Sequence, residues 1–450
     1  MRFFLFLLAN ALLFIRPSEL LADLAAVEIY RYFILACLAV SLPIVLGQFS
    51  LRYPGVPPIA GCVLLLLPAI FLSGFSHGNT DLIQETVIEF AKVLIYFALL
   101  ISLVTDMARL RRFLYWISVF SAAVTLVAVL RYHADIALPA APPKANPGNK
   151  DVMHGTFVVD NVRDAQSGAM VAVQRMCGTG IFNDPNDFAL VLVAAIPVCL
   201  FWLTDPTRKA MRPLWLLFLL LFGYALMLTH SRGGFLALVA GMVTLFHLKF
   251  GGKKTLMLGL LFLPLLFFVF AGRMTTISTD DGTGQARIQL WSDGLNIFQQ
   301  SPVIGIGMEN YRQFSKHVAH NSFIHCYTEL GVIGGTLFLG AFYFALKGMY
   351  DLRQSATTGT DEIDPELRRL HPFLLATVIA YTVGICFLSR SYIVPTYMIL
   401  GLAVVYMRLH TTQIAIAPLA WNRLVWPRLA GVSFSFLIAS YTFVRIFVKW

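Results

Sequence analysis

The chain has 450 residues, of which 58% are hydrophobic and only 13% charged. A water-soluble globule of that composition would lack the polar atoms to cover its surface, so the chain belongs in a bilayer. The formal charge of +10 does not point to nucleic acid, because the basic residues fall in short loops between apolar stretches rather than on one face of a soluble domain.

Apolar stretches of roughly 18 to 24 residues, the helix length that crosses about 30 Å of hydrocarbon, recur along nearly the whole chain. Membrane β-strands are excluded, since they alternate in and out over about 10 residues. The pattern predicts an all-α polytopic membrane protein of about twelve helices, at 2–22, 30–48, 55–75, 83–104, 112–131, 186–204, 212–230, 233–250, 254–272, 323–346, 372–389 and 392–408. A last apolar segment, 429–447, forms either a thirteenth span or an interfacial helix. The first stretch, Phe3 to Ile15, has one preceding arginine and no small-residue cleavage site, and reads as a retained helix.

Lys and Arg concentrate on the cytoplasmic side of membrane proteins. Arg109, Arg111 and Arg112, then Arg208, Lys209 and Arg212, then Lys249, Lys253 and Lys254, and finally Lys347, Arg353, Arg368 and Arg369 occupy alternate loops. That asymmetry places the N-terminus inside. It divides the chain into N-terminal transmembrane helices (1–131), an extracytoplasmic loop (132–185), transmembrane helices (186–272), a large extracytoplasmic loop (273–322) where catalysis is expected, transmembrane helices (323–408) and a C-terminal segment (409–450). The first half of loop 132–185, rich in Pro, Gly, Ala and Asn, is predicted to be irregular.

Cys37, Cys62, Cys199 and Cys386 sit in apolar segments as small hydrophobes, and Cys177 and Cys326 have no metal-like spacing, so neither a disulfide framework nor a zinc site is expected. Asp280-Asp281-Gly282 lacks the remaining ligands of a calcium loop. No metal and no cofactor are expected. Within the fourth span Glu89 and Lys92 lie one turn apart and, with Glu85 nearby, read as a structural pair.

Polar residues that interrupt the apolar pattern carry the chemistry. Arg175 precedes Gly178, Gly180 and Asn183-Asp184-Pro185-Asn186, a segment that by itself reads as a capped loop-to-helix junction, with Asn183 or Asp184 as the cap. The hairpin Thr229-His230-Ser231-Arg232-Gly233-Gly234 sets an arginine at the membrane face beside two glycines with accessible backbone N–H groups. An arginine near lipid is costly unless it meets an anion, and phosphate suits its planar, bidentate fork. Snorkelling to headgroups would also place an arginine there.

In the second long loop Ile288, Trp291, Leu295 and Phe298 form one stripe, predicting an amphipathic helix over 286–300 lying on the membrane. Arg287 occupies its first turn, where the helix dipole favours an anion. Gly305-Ile306-Gly307 follows, then His317, His320-Asn321-Ser322, His325, Glu329 and Gly331. A histidine takes a hydroxyl proton at neutral pH when a neighbouring amide or carboxylate orients it, which makes His320 the candidate base. His325 and Glu329 share a helix face.

These residues, in this order, resemble the O-antigen ligase/polymerase (Wzy/WaaL-like) family of bacterial envelope proteins. The resemblance rests on Arg175 with Gly178 and Phe182-Asn183-Asp184-Pro185-Asn186, on Ser231-Arg232-Gly233-Gly234, on Arg287 with Trp291, on Pro302 with Gly305-Ile306-Gly307, and on His320-Asn321-Ser322 followed by Glu329-Leu330-Gly331. It covers about residues 170–400. It implies a GT-C-like architecture in the bacterial cytoplasmic (inner) membrane and an inverting, metal-independent glycosyltransferase acting outside. The donor would be a glycan on undecaprenyl diphosphate, and the acceptor a glycolipid, a glycan or a protein. Arg232 and Arg287, with Arg175 as a further match, would hold the diphosphate. His320 would activate the acceptor hydroxyl, supported by Asn321, Glu329, Gly233 and Gly234. Membrane lipids, and no nucleic acid, are the remaining partners. An exopolysaccharide polymerase or a protein O-oligosaccharyltransferase shares the motifs, and a flippase or anion transporter is the alternative of a different class, for which broken helices and midplane charges are expected.

Overall fold

A computed structural model describes residues 1–20, 29–48, 57–76, 80–134, 157–163, 170–261, 283–315, 317–358, 364–411 and 421–448. Its main helices are α1 (Arg2–Ile15), α2 (Ile29–Gln48), α3 (Pro58–Phe75), α4 (Thr80–Leu103), α5 (Met107–Ala134), α6 (Pro185–Leu203), α7 (Arg212–Thr229), α8 (Arg232–Phe250), α9 (Thr283–Gln300), α10 (Ser322–Thr358), α11 (Pro365–Ile385), α12 (Val394–Thr411) and α13 (Val425–Phe447). Between α5 and α6 lies an antiparallel hairpin of β1 (Phe157–Arg163) and β2 (Met170–Met176), with Phe157 opposite Met176 and Val158 opposite Arg175.

Among the described residues nine helices are long and apolar enough to cross a membrane, and the protein is accordingly an all-α polytopic membrane protein with one small hairpin. These helices include eight of the predicted spans, and the apolar tail supplies the ninth as Val425–Phe447. Four predicted spans differ. Helix α1 has 14 residues and stops where Arg16 turns left-handed (φ 44), and at 1.5 Å per residue it reaches about 21 Å, short of the hydrocarbon thickness. The span expected at 254–272 falls mostly outside the described residues. Helix α11 begins earlier than expected, in a polar first turn around Glu366. The apolar part of α12, Val394–His410, is shorter than the other spans.

The chain forms two compact units. Unit 1 comprises Met1–Val40, Asp106–Asp280 and Pro365–Gly384, and unit 2 comprises Ser41–Thr105, Asp281–Asp364 and Ile385–Trp450.

Unit 1 is built around α6, whose side chains are almost all buried. Small residues let its neighbours close in. A Cβ on Gly234 of α8 would meet the Ala189 methyl at 2.7 Å, and one on Gly384 would meet Leu190 at 2.3 Å. At one end of this unit Asp205 is fully buried and receives Arg111 at 2.9 Å and Arg369 at 3.5 Å, while Arg111 also pairs with Glu366. Three loops expected on the cytoplasmic side therefore meet at one ionic cluster. The hairpin lies at the other end of α6, where the Tyr132 hydroxyl donates to the Gln174 carbonyl at 3.3 Å. The sequence reading did not predict it, although Phe157-Val158-Val159 and Val171-Ala172-Val173 are β-prone runs separated by a polar, glycine-containing stretch.

Unit 2 holds a broken helix. Backbone dihedrals at Gly331 (φ 64, ψ −164) interrupt α10, and the segment Pro302–Gly307 enters the gap. Ile306 and Gly307 N–H donate to the carbonyls of Thr328 and Glu329 at 3.2 and 2.9 Å, and Val332 and Ile333 N–H donate to those of Pro302 and Val303 at 2.8 and 3.3 Å. The groups freed by breaking the helix are thereby satisfied, as buried backbone requires. Only glycine fits at the crossing, because a Cβ on Gly305 would stand 2.3 Å from the Glu329 carbonyl.

Helix α9 matches the predicted amphipathic helix, but its stripe does not face the membrane. Leu295 packs with Val444 and Val448, with Ile288 and Trp291 beside them, Trp291 lies against Phe443, and Phe298 meets Tyr327 edge-on. The apolar partner is α13, which the sequence left as either a span or an interfacial helix.

Candidate active site

The predicted site residues fall into two groups, one in each unit. In unit 1 the structure brings together Arg175, Arg232, Gly233 and Gly234. Asp184 caps α6 by accepting from the N–H groups of Asn186 and Asp187 at 2.7 and 3.3 Å. That fixes Asn186, whose side-chain oxygen accepts from Arg175 Nη2 at 3.0 Å and from the Ser231 hydroxyl at 2.9 Å. Arg175 is buried and also donates from Nε to the Thr229 carbonyl at 3.0 Å. It thus ties β2 to the tight connection between α7 and α8, where His230 adopts φ 49. Ser231 caps α8 by accepting from Gly234 N–H at 3.1 Å, so that N–H is taken up within the hairpin, and Gly234 serves close packing on α6. Arg232 opens α8, half-buried, near enough to feel the charge of Arg175. Burial pushes the neighbouring Cys177 thiol to about 12, against the opposing pull of Arg175, so it stays protonated and unreactive.

Unit 2 carries Arg287, His320, Asn321 and Glu329. His320 stands immediately before α10 in a left-handed conformation (φ 47), half-buried. Asn321 caps the helix, its side-chain oxygen accepting from the N–H groups of Phe323 and Ile324 at 3.0 and 3.2 Å. The amide that sequence reasoning offered as an orienter of the histidine is therefore engaged with the helix end. Ser322 anchors the turn between α11 and α12: its hydroxyl donates to the Leu388 carbonyl at 2.6 Å and accepts from Arg390 N–H at 2.9 Å, while the Ser391 hydroxyl donates to the Ser322 carbonyl at 2.8 Å. The Arg287 guanidinium lies over the Phe387 ring of the same turn, 5.7 Å from its centroid. Arg287 and, through Ser322, the start of α10 thus both contact the 387–391 turn.

About two turns further along α10, Glu329 is 1% exposed and its Oε2 lies 3.3 Å from His325 Nε2, an ion-pair distance without hydrogen-bond geometry. Tyr311 stacks on His325 at 5.1 Å, and Tyr392 approaches the same ring at 6.3 Å. Burial pushes both phenols above their ordinary range, so they remain neutral donors. Glu329 also sits at the helix break, its carbonyl accepting from Gly307 N–H and from the Ser73 hydroxyl.

Arg390 escaped the sequence reading. The signal was present, since it is the single charged residue between the apolar runs ending at Leu388 and starting at Ile393. Among the described residues no three His, Cys, Asp or Glu side chains are grouped to hold a metal ion, and Asp280-Asp281-Gly282 lies outside those residues. Lys92 pairs with Glu89 at 2.5 Å on an exposed face of α4.

No curated protein matches the chain. Residues 216–339 match the Wzy_C family, described as O-antigen ligase. The matched stretch runs from α7 into α10 and includes Arg232, Arg287, His320 and Glu329, while Arg175 and Arg390 lie outside it. The segment bearing the predicted base and two of its arginines is thus similar to the O-antigen ligase family.

Proposed function

We propose that the protein transfers a glycan from undecaprenyl diphosphate to an acceptor hydroxyl in cell-envelope polysaccharide or lipopolysaccharide biosynthesis, as an inverting glycosyltransferase that needs no metal. The observation that carries this reading is His320, fixed at the head of α10 beside the turn over which Arg287 lies, inside the segment that matches the O-antigen ligase family. The family match supports a function of the ligase/polymerase type in envelope glycan assembly.

His320 would take the proton of the acceptor hydroxyl as its oxygen attacks the anomeric carbon, while the bond from that carbon to the diphosphate breaks. A positioned base contributes roughly 10² to 10⁴ in rate. Negative charge grows on the leaving diphosphate, and Arg287, with Arg232 and Arg175 as further anion-holding residues, would stabilise it as it develops. In this reading the Asp205 end of unit 1 faces the cytoplasm with the N-terminus, Arg175 and Arg232 lie at the outer end, and the membrane is the bacterial inner membrane. The loops 132–185 and 273–322 are then extracytoplasmic.

The test is transfer in membrane vesicles from undecaprenyl-diphosphate glycan, with and without lipid A-core, followed by gel. A single capped acceptor identifies a ligase, a ladder on the lipid carrier a polymerase, and modified protein an O-oligosaccharyltransferase. His320→Ala, Arg232→Ala and Arg287→Ala should each lower transfer by about 10² or more in inserted, abundant protein. Wild-type transfer in all three sinks the reading.

A further inference from the structure

We infer that Ser322, the first residue of α10, is a positioning residue that fixes His320 relative to the turn between α11 and α12. The inference rests on the proposed glycan transfer and adds to it a residue that acts through the base.

Ser322 is fully buried. A hydroxyl donates and accepts at once, and here both capacities are spent on the backbone of one turn. Ser322 Oγ donates to the Leu388 carbonyl at 2.6 Å and accepts from Arg390 N–H at 2.9 Å. The Ser322 carbonyl takes a further bond from the Ser391 hydroxyl at 2.8 Å. From α12, the Thr396 hydroxyl donates to the Arg390 carbonyl at 2.7 Å and the Tyr397 hydroxyl to the Ser391 carbonyl at 2.9 Å. The turn is therefore clasped between α10 and α12, and Ser322 takes part in three of these five bonds.

The anchor matters because α10 is broken. Backbone dihedrals at Gly331 (φ 64, ψ −164) separate its first half from the rest, so the head of that half is not held by a long continuous rod. His320 lies two residues before Ser322, in a left-handed conformation (φ 47), and Asn321 between them caps the helix. A shift of the first turn of α10 would carry the imidazole with it. The turn that Ser322 grips is also the one over which the Arg287 guanidinium lies, 5.7 Å from the Phe387 centroid. One buried hydroxyl thus links the element that ends at the proposed base to the surface that backs a proposed diphosphate-holding residue. Transfer requires base and leaving group to be spaced around a single acceptor hydroxyl, and a misplacement of about 1 Å can cost about 10² in rate.

The experiment measures glycan transfer by the full-length protein in detergent, with donor and acceptor varied separately and rates expressed per folded protein after gel filtration. Ser322→Ala, which removes both side-chain bonds to the turn, should lower kcat about 10²-fold and leave both KM values little changed. Ser322→Thr, which keeps the hydroxyl, should recover most of the loss. Because Ser322 acts through His320, adding Ser322→Ala to His320→Ala should change the residual transfer by less than about twofold. Unchanged kcat in Ser322→Ala overturns the inference, as does the same fold-loss with and without His320, since Ser322 would then serve the fold alone. A loss carried by KM with kcat intact overturns it too. Each of these leaves the proposed function standing. Wild-type transfer in His320→Ala would instead remove the base from that reading, and the inference with it.

Discussion

Replacing Gly331 by alanine tests whether the broken helix holds the site together. The backbone there (φ 64, ψ −164) lies in a region open essentially to glycine, at a cost of about 1–3 kcal/mol for another residue. An added Cβ would also stand 2.3 Å from the Val303 carbonyl oxygen and 2.5 Å from Ile304 N, so the entering segment must move. Its shift loosens the bonds from Val332 and Ile333 N–H to Pro302 and Val303, each worth about 0.5–1.5 kcal/mol net. The sum is about 2–6 kcal/mol, all of it next to Glu329 and one helix half away from His320. The assay is thermal unfolding of the purified protein in detergent, with glycan transfer measured on the same sample. Gly331→Ala should melt earlier and lose transfer. Gly223→Ala, where a Cβ meets nothing within 4 Å, should be neutral or slightly stabilising as an ordinary helix substitution. Equal melting and equal transfer for Gly331→Ala and the wild type would refute the argument.

Arg175→Ala should destabilise unit 1 by about 2–4 kcal/mol, because it strands the Thr229 carbonyl and removes one donor from Asn186; Arg175→Lys should recover only part, and unchanged melting in both variants would discard this tethering role. For Asp205, burial raises the carboxyl, but hydrogen bonds from Thr207 and the charges of Arg369 and Arg111 outweigh it and hold the group below its ordinary range. A depressed folded-state value gives stability that is present above the unfolded value of about 3.9 and is lost as pH falls from there through the folded value. Melting temperature followed downward in pH should therefore drop less steeply below about pH 4 in Asp205→Asn than in wild type, from a lower starting point, and parallel curves would contradict it. A chelator should leave transfer unchanged, and inhibition reversed by added divalent metal would instead bring Asp280 and Asp281 into the reaction.

Much of this arrangement was legible because the bilayer leaves the sequence little choice. Long apolar runs such as 185–203 and 232–250 must be helices, and an arginine at their ends announces itself. What stayed hidden depends on tertiary partners. Nothing local distinguishes a stripe that faces lipid from one that faces protein, so the Ile288-Trp291-Leu295 stripe was assigned to the membrane when α13 covers it. The glycines at 305, 307 and 331 were visible, but their purpose, a segment crossing a broken helix, joins positions about 26 residues apart. Arg175 was read for its charge, whereas its contacts with Thr229 and Asn186 make it also a tie between β2 and the α7–α8 connection. Arg390 went unread because a lone arginine in a short loop looks like any topological marker until Ser322 is seen to hold it.

The broken helix also bears on the rival reading, since an interrupted span was the feature expected of a transporter. In that class the freed amides and carbonyls at the break are left to bind substrate or ions. Here the chain itself occupies them. The carbonyls of Thr328 and Glu329 accept from Ile306, Gly307 and the Ser73 hydroxyl, and the N–H groups of Val332 and Ile333 donate to Pro302 and Val303. A break filled in this way offers little to a passing ion, and opening it would expose several backbone groups at once. It suits a fixed scaffold better than a moving gate. What it fixes is the short first half of α10, with His320 and its cap at one end and buried Glu329 at the other. A rigid half-helix that presents a histidine fits a site in which the base must be held in place before the acceptor arrives.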